Sequence, residues 1–309
     1  MAKRTSAKHR ATTQDRPQAP SVRPEAAIHN SQPAEKLLFA QYATTKVLAE
    51  SATLAEAASG ILQAICESLG WEFGALWTID RNARRLRCTD TWHTSTDKFA
   101  DFESLSKRST FSQGVGLPGR VWVSGKAAWI PDVVRDANFP RASTAARGGL
   151  HAAFGFPILF RTDILGVLEF FSCEIRPPDE DLLQMLASVG GQIGQFIERR
   201  RAQGELNHFF ASSLDMLCIV GFDGYFKRLN PAWEKTLGFS NEELLAKPYS
   251  DFIHPEDRQS TSAEARKLAS GAETISFENR YLCKDGSYRW FLWSAVPFPR
   301  QQLIYADAR

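Results

Sequence analysis

Apolar residues recur at helical spacing through EKLLFAQYATTKVLAES and TLAEAASGILQAICESLG, where Leu54, Ala58, Ile61, Leu62, Ile65 and Leu69 share one face. Thr53 caps the second of these helices, Glu56 completes a capping box and Gly70 stops it. WEFGALWTID and RLRCTDTWHT read as strands on either side of Asp80-Arg81-Asn82. After a polar helical stretch and a glycine-containing loop, strands return in AAWIPDV, HAAFGFPILF and ILGVLEFFSC, the last two joined by the hairpin-length turn Arg161-Thr162-Asp163. Helices, then strands, then a terminal helix predict an α+β domain with an antiparallel sheet.

That terminal helix starts at RPPDEDLLQML, with Asp179 as N-cap and Glu180 and Asp181 at the positive end of its dipole. Leu182, Leu186, Val189, Ile193 and Phe196 are spaced four, three, four, three, the seam of a coiled coil. The same face can equally pack on its own sheet. Gly190 and Gly194 cost about 1 kcal/mol each in a helix, which points to close contact with something. The run ERRR, 198 to 201, marks a solvated exit, and Arg200 and Gln203 interrupt the seam.

A second strand-rich unit begins near Leu206. MLCIVGFDGYFKRLN is a hairpin around Asp223-Gly224, and ISFENRYLCKDGSYRWFLWSAVPF is a longer one around Asp285-Gly286. Short helices lie between them. HPEDRQSTSAEARKLASG is predicted as one longer helix with Pro255 early and Gly271 at its end, and QQLIYADAR is a final strand.

Gly114, Gly116 and Gly119 spell the G-x-G-x-x-G of a dinucleotide site. That fingerprint requires a buried strand before it and a long helix after it. Upstream stands polar SLSKRSTFSQ, and downstream RVWV lasts barely two turns before Gly125. The expectation is a tight loop feeding a short helix, without a phosphate cradle.

Composition narrows the choice of function. With 309 residues, 43% of them hydrophobic, the chain can bury two cores. A net charge of +2 gives no global reason to expect nucleic acid, and no apolar run is long enough for a membrane span. Cys66, Cys88, Cys173, Cys218 and Cys283 are odd in number and far apart, which fits buried thiols in a reducing cytoplasm better than disulfides or zinc. Residues 1–34 lack periodicity and read as a disordered basic tail.

The stretches GVGLPGRVWVSGKAAWIPDV, ANFPRASTAARGGLHAAFGFPIL and ILGVLEFFS closely resemble a bacterial GAF domain. LDMLCIVGFDGYFKRLNPAWEKTLGFSNEELLAKPYSDFIHPEDR with RYLCKDGSYRWFLWSAVPF resembles a PAS domain. The resemblance implies two sensory domains, each an antiparallel sheet flanked by helices around a cavity for a small ligand. The GAF domain spans 35–177, a coiled-coil-like linker helix 178–204 and the PAS domain 205–309. It also implies a cytoplasmic signalling protein. The heptad seam predicts a homodimer through the linker, and charge and hydropathy give neither nucleic acid nor membrane as partner. The output domain or protein is absent from this chain, which reads as the sensory half of something longer. One alternative is the sensor region of a histidine kinase or diguanylate cyclase, and another is a purely structural dimerisation module. His208 in NHFFASS lacks the acid and proline that follow a phosphoacceptor, and no ATP-binding or G-G-D-E-F segment is present.

No catalytic or metal-ligating residue is expected, and the ligand is not identified. His151 has no neighbouring cysteine for a bilin, Ile175 and Cys173-Glu174 break the cyclic-nucleotide pattern, and His254 belongs to HPEDR as a helix-start residue more than as a haem ligand. The candidate lining is aromatic with a few polar groups. In the GAF domain it comprises Trp77, Trp92, Trp122, Trp129, Phe156, His151, Arg141 and Arg147; in the PAS domain, Trp233, Phe252, Tyr281 and Trp290. The two arginines flank the GAF cavity and can meet an anion, although each alone reads as solvated surface.

Overall fold

The computed structural model describes residues 24–309, which divide after Ile197 into two compact units. The first opens with helices α1 (Pro24–Glu50) and α2 (Leu54–Leu69). Helix α1 thus takes in residues 24–34, which the sequence assigned to a tail; Pro24 is well placed at a first helical turn. Residues 1–23 of that tail lie outside the described residues. The first unit continues with β1 (Phe73–Asp80), β2 (Arg85–His93), α3 (Thr96–Arg108), β3 (Thr110–Phe111), α4 (Gly116–Ser124), β4 (Ala128–Ile130), α5 (Ala142–Arg147), β5 (Ala153–Phe160) and β6 (Asp163–Phe171). Its six strands form an antiparallel sheet in the order β3-β2-β1-β6-β5-β4.

Both faces of this sheet are buried. On one, Phe154, Phe156, Leu168 and Phe170 pack with α2 residues Ile61, Leu62 and Ile65. On the other, Phe73, Trp77, Val167 and Phe171 meet Phe99 and Phe102 of α3 and Leu117 and Val121 of α4. Strand alternation sends neighbouring residues to opposite cores.

Helix α6 (Glu180–Ser212) follows, its start capped by Asp179, whose carboxylate accepts from the Leu182 N–H at 2.9 Å. Leu182, Leu186, Val189 and Ile193 are buried in the first unit's own core with Phe154 and Phe156. Their seam therefore faces the sheet of its own domain. Over three turns a heptad stripe and an ordinary core-facing stripe are nearly the same pattern, so spacing alone could not separate them. The glycines agree. A Cβ on Gly190 would strike the Pro157 carbonyl oxygen, and one on Gly194 that of Leu159, whereas Gly191 has open space. We expect Gly191→Ala to stabilise the domain by up to about 1 kcal/mol through helix propensity. Gly194→Ala should destabilise it by about 1–3 kcal/mol because overpacking outweighs that gain. Urea unfolding of the two variants would show shifts of opposite sign. The expected interruption at Arg200 and Gln203 is not a break in the helix. It continues to Ser212, supported by i,i+4 contacts Arg201–Glu205 at 3.0 Å and Gln203–Asn207 at 3.1 Å.

The second unit contains β7 (Met216–Gly221), β8 (Phe226–Leu229), α7 (Ala232–Leu237), α8 (Asn241–Leu245), α9 (Arg258–Ala269), β9 (Thr274–Leu282), β10 (Tyr288–Phe298) and β11 (Leu303–Ala308). Its antiparallel sheet runs β8-β7-β11-β10-β9. The segment predicted as one helix from HPEDR is a 3-10 turn, Pro255–Asp257, leading into α9. Asp257 explains the irregular start: its carboxylate accepts from the backbone N–H of Arg280 at 2.8 Å and from its guanidinium at 2.7 and 2.9 Å. No helix among the described residues is long and apolar enough to cross a membrane.

Candidate functional site

Alternation along β6 puts Val167, Glu169 and Phe171 on the face covered by α3, α4 and α5. Glu169 thereby enters the core as a carboxylate with no exposed surface. Arg141, just before α5, meets it there. One guanidinium nitrogen donates to both Glu169 oxygens at 2.6 and 2.8 Å, and another donates to Ser106 Oγ at 2.7 Å. Trp77 Nε1 donates to Glu169 Oε1 at 2.8 Å. The guanidinium lies 4.9–5.5 Å from the ring centroids of Phe102, Trp77, Phe139, Phe111 and Phe171. Burial pushes the Glu169 carboxyl above its usual range, opposed by Arg141 and Trp77. Arg141 is thus 1% exposed and not solvated surface; the anion it meets is the protein's own. Arg147 remains outside, 3.7 Å from Asp101.

The other candidates in this unit are divided between the two cores. Half-buried Trp122 packs on the Arg141 side, whereas Trp92, Trp129 and Phe156 belong to the opposite face. Trp129 stands edge-on to Trp71 at 5.3 Å and donates its Nε1 to the Arg176 carbonyl at 2.9 Å. His151 Nδ1 lies 3.1 Å from Asp132. The structure therefore brings Trp77 and Arg141 together and leaves the rest dispersed.

In the glycine loop the N–H groups are already engaged. Gly114 N–H donates to the Gly119 carbonyl at 2.8 Å, Gly116 N–H to Asn138 Oδ1 at 3.1 Å, and Gly119 N–H to the Val115 carbonyl at 3.1 Å. Gly114 and Gly116 have φ of 80° and 65°, and a side chain on Gly119 would collide with the Ser112 carbonyl. The glycines serve the turn into α4.

Cys66, Cys218 and Cys283 are buried, as expected, but Cys88 and Cys173 are only half-buried. Burial pushes the Cys88 thiol up to about 12. Among the described residues no group of three or more His, Cys, Asp or Glu could hold a metal ion.

In the second unit Trp233, Phe252 and Tyr281 are core residues. Trp290 is not: it is 63% exposed, with the Arg280 guanidinium 5.1 Å from its ring. His254 caps the HPEDR turn by accepting from the Glu256 N–H at 3.3 Å. Between the sheet and α9 lies an apolar cavity of about 70 Å³, lined by Val220, Phe226, Leu268, Trp293 and Ile304 among others. Tyr281 and Tyr249 line it too, as do Thr261, Glu264, Thr274 and Asn279. Of the candidates named from the sequence, only Tyr281 reaches the cavity; Trp233 packs behind it at 6.0 Å. Glu169, Ser106, Tyr249, Asn279 and Glu264 were not singled out by sequence reasoning.

A family model of the GAF domain matches residues 51–198, and one of the PAS fold matches 226–303. Over 77 residues the chain is 34% identical to the probable diguanylate cyclase DgcE of Escherichia coli (strain K12), a match covering 25% of this chain and 7% of that one. The chain thus spans only a small part of that relative's length. The GAF domain of a phosphoenolpyruvate-protein phosphotransferase from Coxiella burnetii aligns at 17% identity with a TM-score of 0.48, covering 56% of this chain and 98% of that one. The PAS domain of an HTR-like protein from Haloarcula marismortui aligns at 19% identity with a TM-score of 0.33, covering 36% and 93%. With its two antiparallel sheets and the α6 helix between them, the chain is a GAF domain followed by a PAS domain, two sensory modules in series.

Proposed function

We propose that this chain is the input half of a cytoplasmic signalling system, in which the PAS cavity holds a small molecule and α6 joins that domain to the GAF domain. One observation carries the reading: the PAS core keeps an apolar cavity between its sheet and α9, while the face of the GAF sheet under α3, α4 and α5 is filled by the Arg141–Glu169 pair and the aromatic rings around it. In this proposal the GAF domain is a packed relay and the PAS domain the sensor. Arg141, Trp77 and Trp122 then act in packing, and Tyr281 faces the ligand.

The protein works as a homodimer in this proposal. The Leu182–Ile193 seam is committed to its own domain, so contact through α6 falls to exposed apolar residues farther along, Leu206 and Phe209. The signal passes to an output such as a diguanylate cyclase, an assignment supported by the match to a probable enzyme of that kind, or to a histidine kinase. Native mass spectrometry of the purified chain, compared with denaturing conditions, tests both parts. The expected result is a two-chain species that loses a small molecule on denaturation. A single-chain species at high concentration, with equal masses under both conditions and no added metabolite retained, would overturn the proposal.

A further inference from the structure

The polar groups around the PAS cavity are almost all committed to one another. Thr274 Oγ1 donates to Glu264 at 2.6 Å, and Lys267 Nζ donates to the same carboxylate at 2.8 Å. Trp293 Nε1 donates to Asn279 Oδ1 at 2.7 Å, Asn279 Nδ2 donates to Thr261 Oγ1 at 3.0 Å, and Thr261 Oγ1 donates to the Asp257 carbonyl at 2.8 Å. Two hydroxyls stand outside this network. Tyr281 is 2% exposed, lines the cavity, and makes no hydrogen bond with any described residue. Half-buried Tyr249 lines it as well, its hydroxyl likewise unpaired among the described residues. Neither hydroxyl is among the sealed polar atoms that lack a partner, so each opens on the space of the cavity; a compound that displaces water there keeps the bond only by offering the phenol O–H an acceptor.

Charge and size restrict the acceptor further. Among the lining residues there is no Lys, Arg, His or Cys, and the one charged side chain is the carboxylate of Glu264. An anion would enter an apolar site without a countercharge and beside a negative group. An enclosed cavity of roughly 150 Å³ admits benzene, so the interior of this half-open one, with about half that space, seats a group of about three to five heavy atoms. The cavity itself measures about 70 Å³. Burial pushes the Tyr281 hydroxyl well above its usual range, so it stays protonated and able to donate.

We infer that the PAS cavity selects a small neutral carbonyl compound, a short ketone, aldehyde or amide, whose oxygen accepts from Tyr281 while its alkyl groups meet Val220, Leu268 and Ile304. The inference rests on the reading of this cavity as the ligand site. Acetone, acetate and xenon test it, because acetone and acetate share size and shape and xenon has no acceptor. Each is titrated into the full chain while the methyl resonances of Val220, Leu268 and Ile304 are followed by NMR. Acetone should bind with a Kd on the order of millimolar, in keeping with so few atoms. Acetate should bind at least 10-fold more weakly. Tyr281→Phe should weaken acetone by about 5- to 10-fold, the worth of one hydrogen bond, and leave xenon unchanged. Equal acetone affinity in Tyr281→Phe, or acetate binding as tightly as acetone, overturns the ligand class but keeps the cavity as a binding site. If neither xenon nor acetone perturbs these methyls, the cavity reading fails as well. Were Tyr281→Phe not to fold, the acetone–acetate comparison in the unaltered chain decides alone.

Discussion

Glu169→Gln is expected to destabilise the GAF domain by about 3–5 kcal/mol, because it leaves the Arg141 guanidinium charged and uncompensated in the interior. The exchange keeps the shape of the side chain and one oxygen that can accept from Trp77 and Arg141, but its amide N–H group then faces the guanidinium in place of the second oxygen, so the loss combines the missing charge with one missing acceptor. No water-exposed route relieves it: Arg141 is 1% exposed and its Nε already has no partner among the described residues. The surrounding rings attract the cation but replace only part of the carboxylate's effect, since a desolvated cation–π contact contributes about 2 kcal/mol. Replacing both partners tests the same point from the other side. Arg141→Met with Glu169→Leu should recover most of the loss, because apolar residues of similar volume often substitute for a buried ion pair at little cost, and a thioether packs well among aromatic rings. Urea unfolding of the single and double variants measures the coupling. A Glu169→Gln variant as stable as the parent would mean that the pair does not hold the core together.

The elements themselves were legible from clear signals: a helical stripe in α2, short apolar runs bounded by turn residues for β1 and β5, and Asp-Gly turns in the PAS hairpins. The buried pair was half legible. In GVLEFF, Glu169 shares the inward phase of Val167 and Phe171, and a lone acid in that phase demands a partner. The partner lies 28 residues away, in the irregular segment FPRAS, where no period fixes the direction of a side chain. Trp290 failed for another reason. YRWFLWSAV carries large apolar residues in both phases, so alternation does not say which is inward; the structure turns Phe291 and Trp293 in and Trp290 and Leu292 out. Phe156 was misplaced because both faces of the GAF sheet are buried, and hydrophobicity then carries no information about which core a residue joins. Tyr249 sits in a short 3-10 turn, Tyr249–Phe252, where periodicity has nothing to report.

Ile193→Asp separates the two meanings of the α6 seam. Ile193 has no exposed surface and packs in the same core as Phe154, Phe156 and Phe170. The substitution deletes a core side chain and puts an unpaired carboxylate among aromatic rings, a loss of about 4–5 kcal/mol or more, comparable with the whole stability of many domains. The GAF domain should therefore unfold or melt at a much lower temperature. The PAS domain has its own core, built around Trp233, Tyr281 and Phe291, and should keep its transition. Scanning calorimetry would show one transition lost and one retained. Had the seam served only to join two copies, the same change would leave both transitions in place and convert a dimer into folded monomers. Sedimentation run beside the calorimetry distinguishes the cases. A folded GAF domain in Ile193→Asp would contradict the inward packing of α6, and with it the close approach that makes Gly190 and Gly194 necessary.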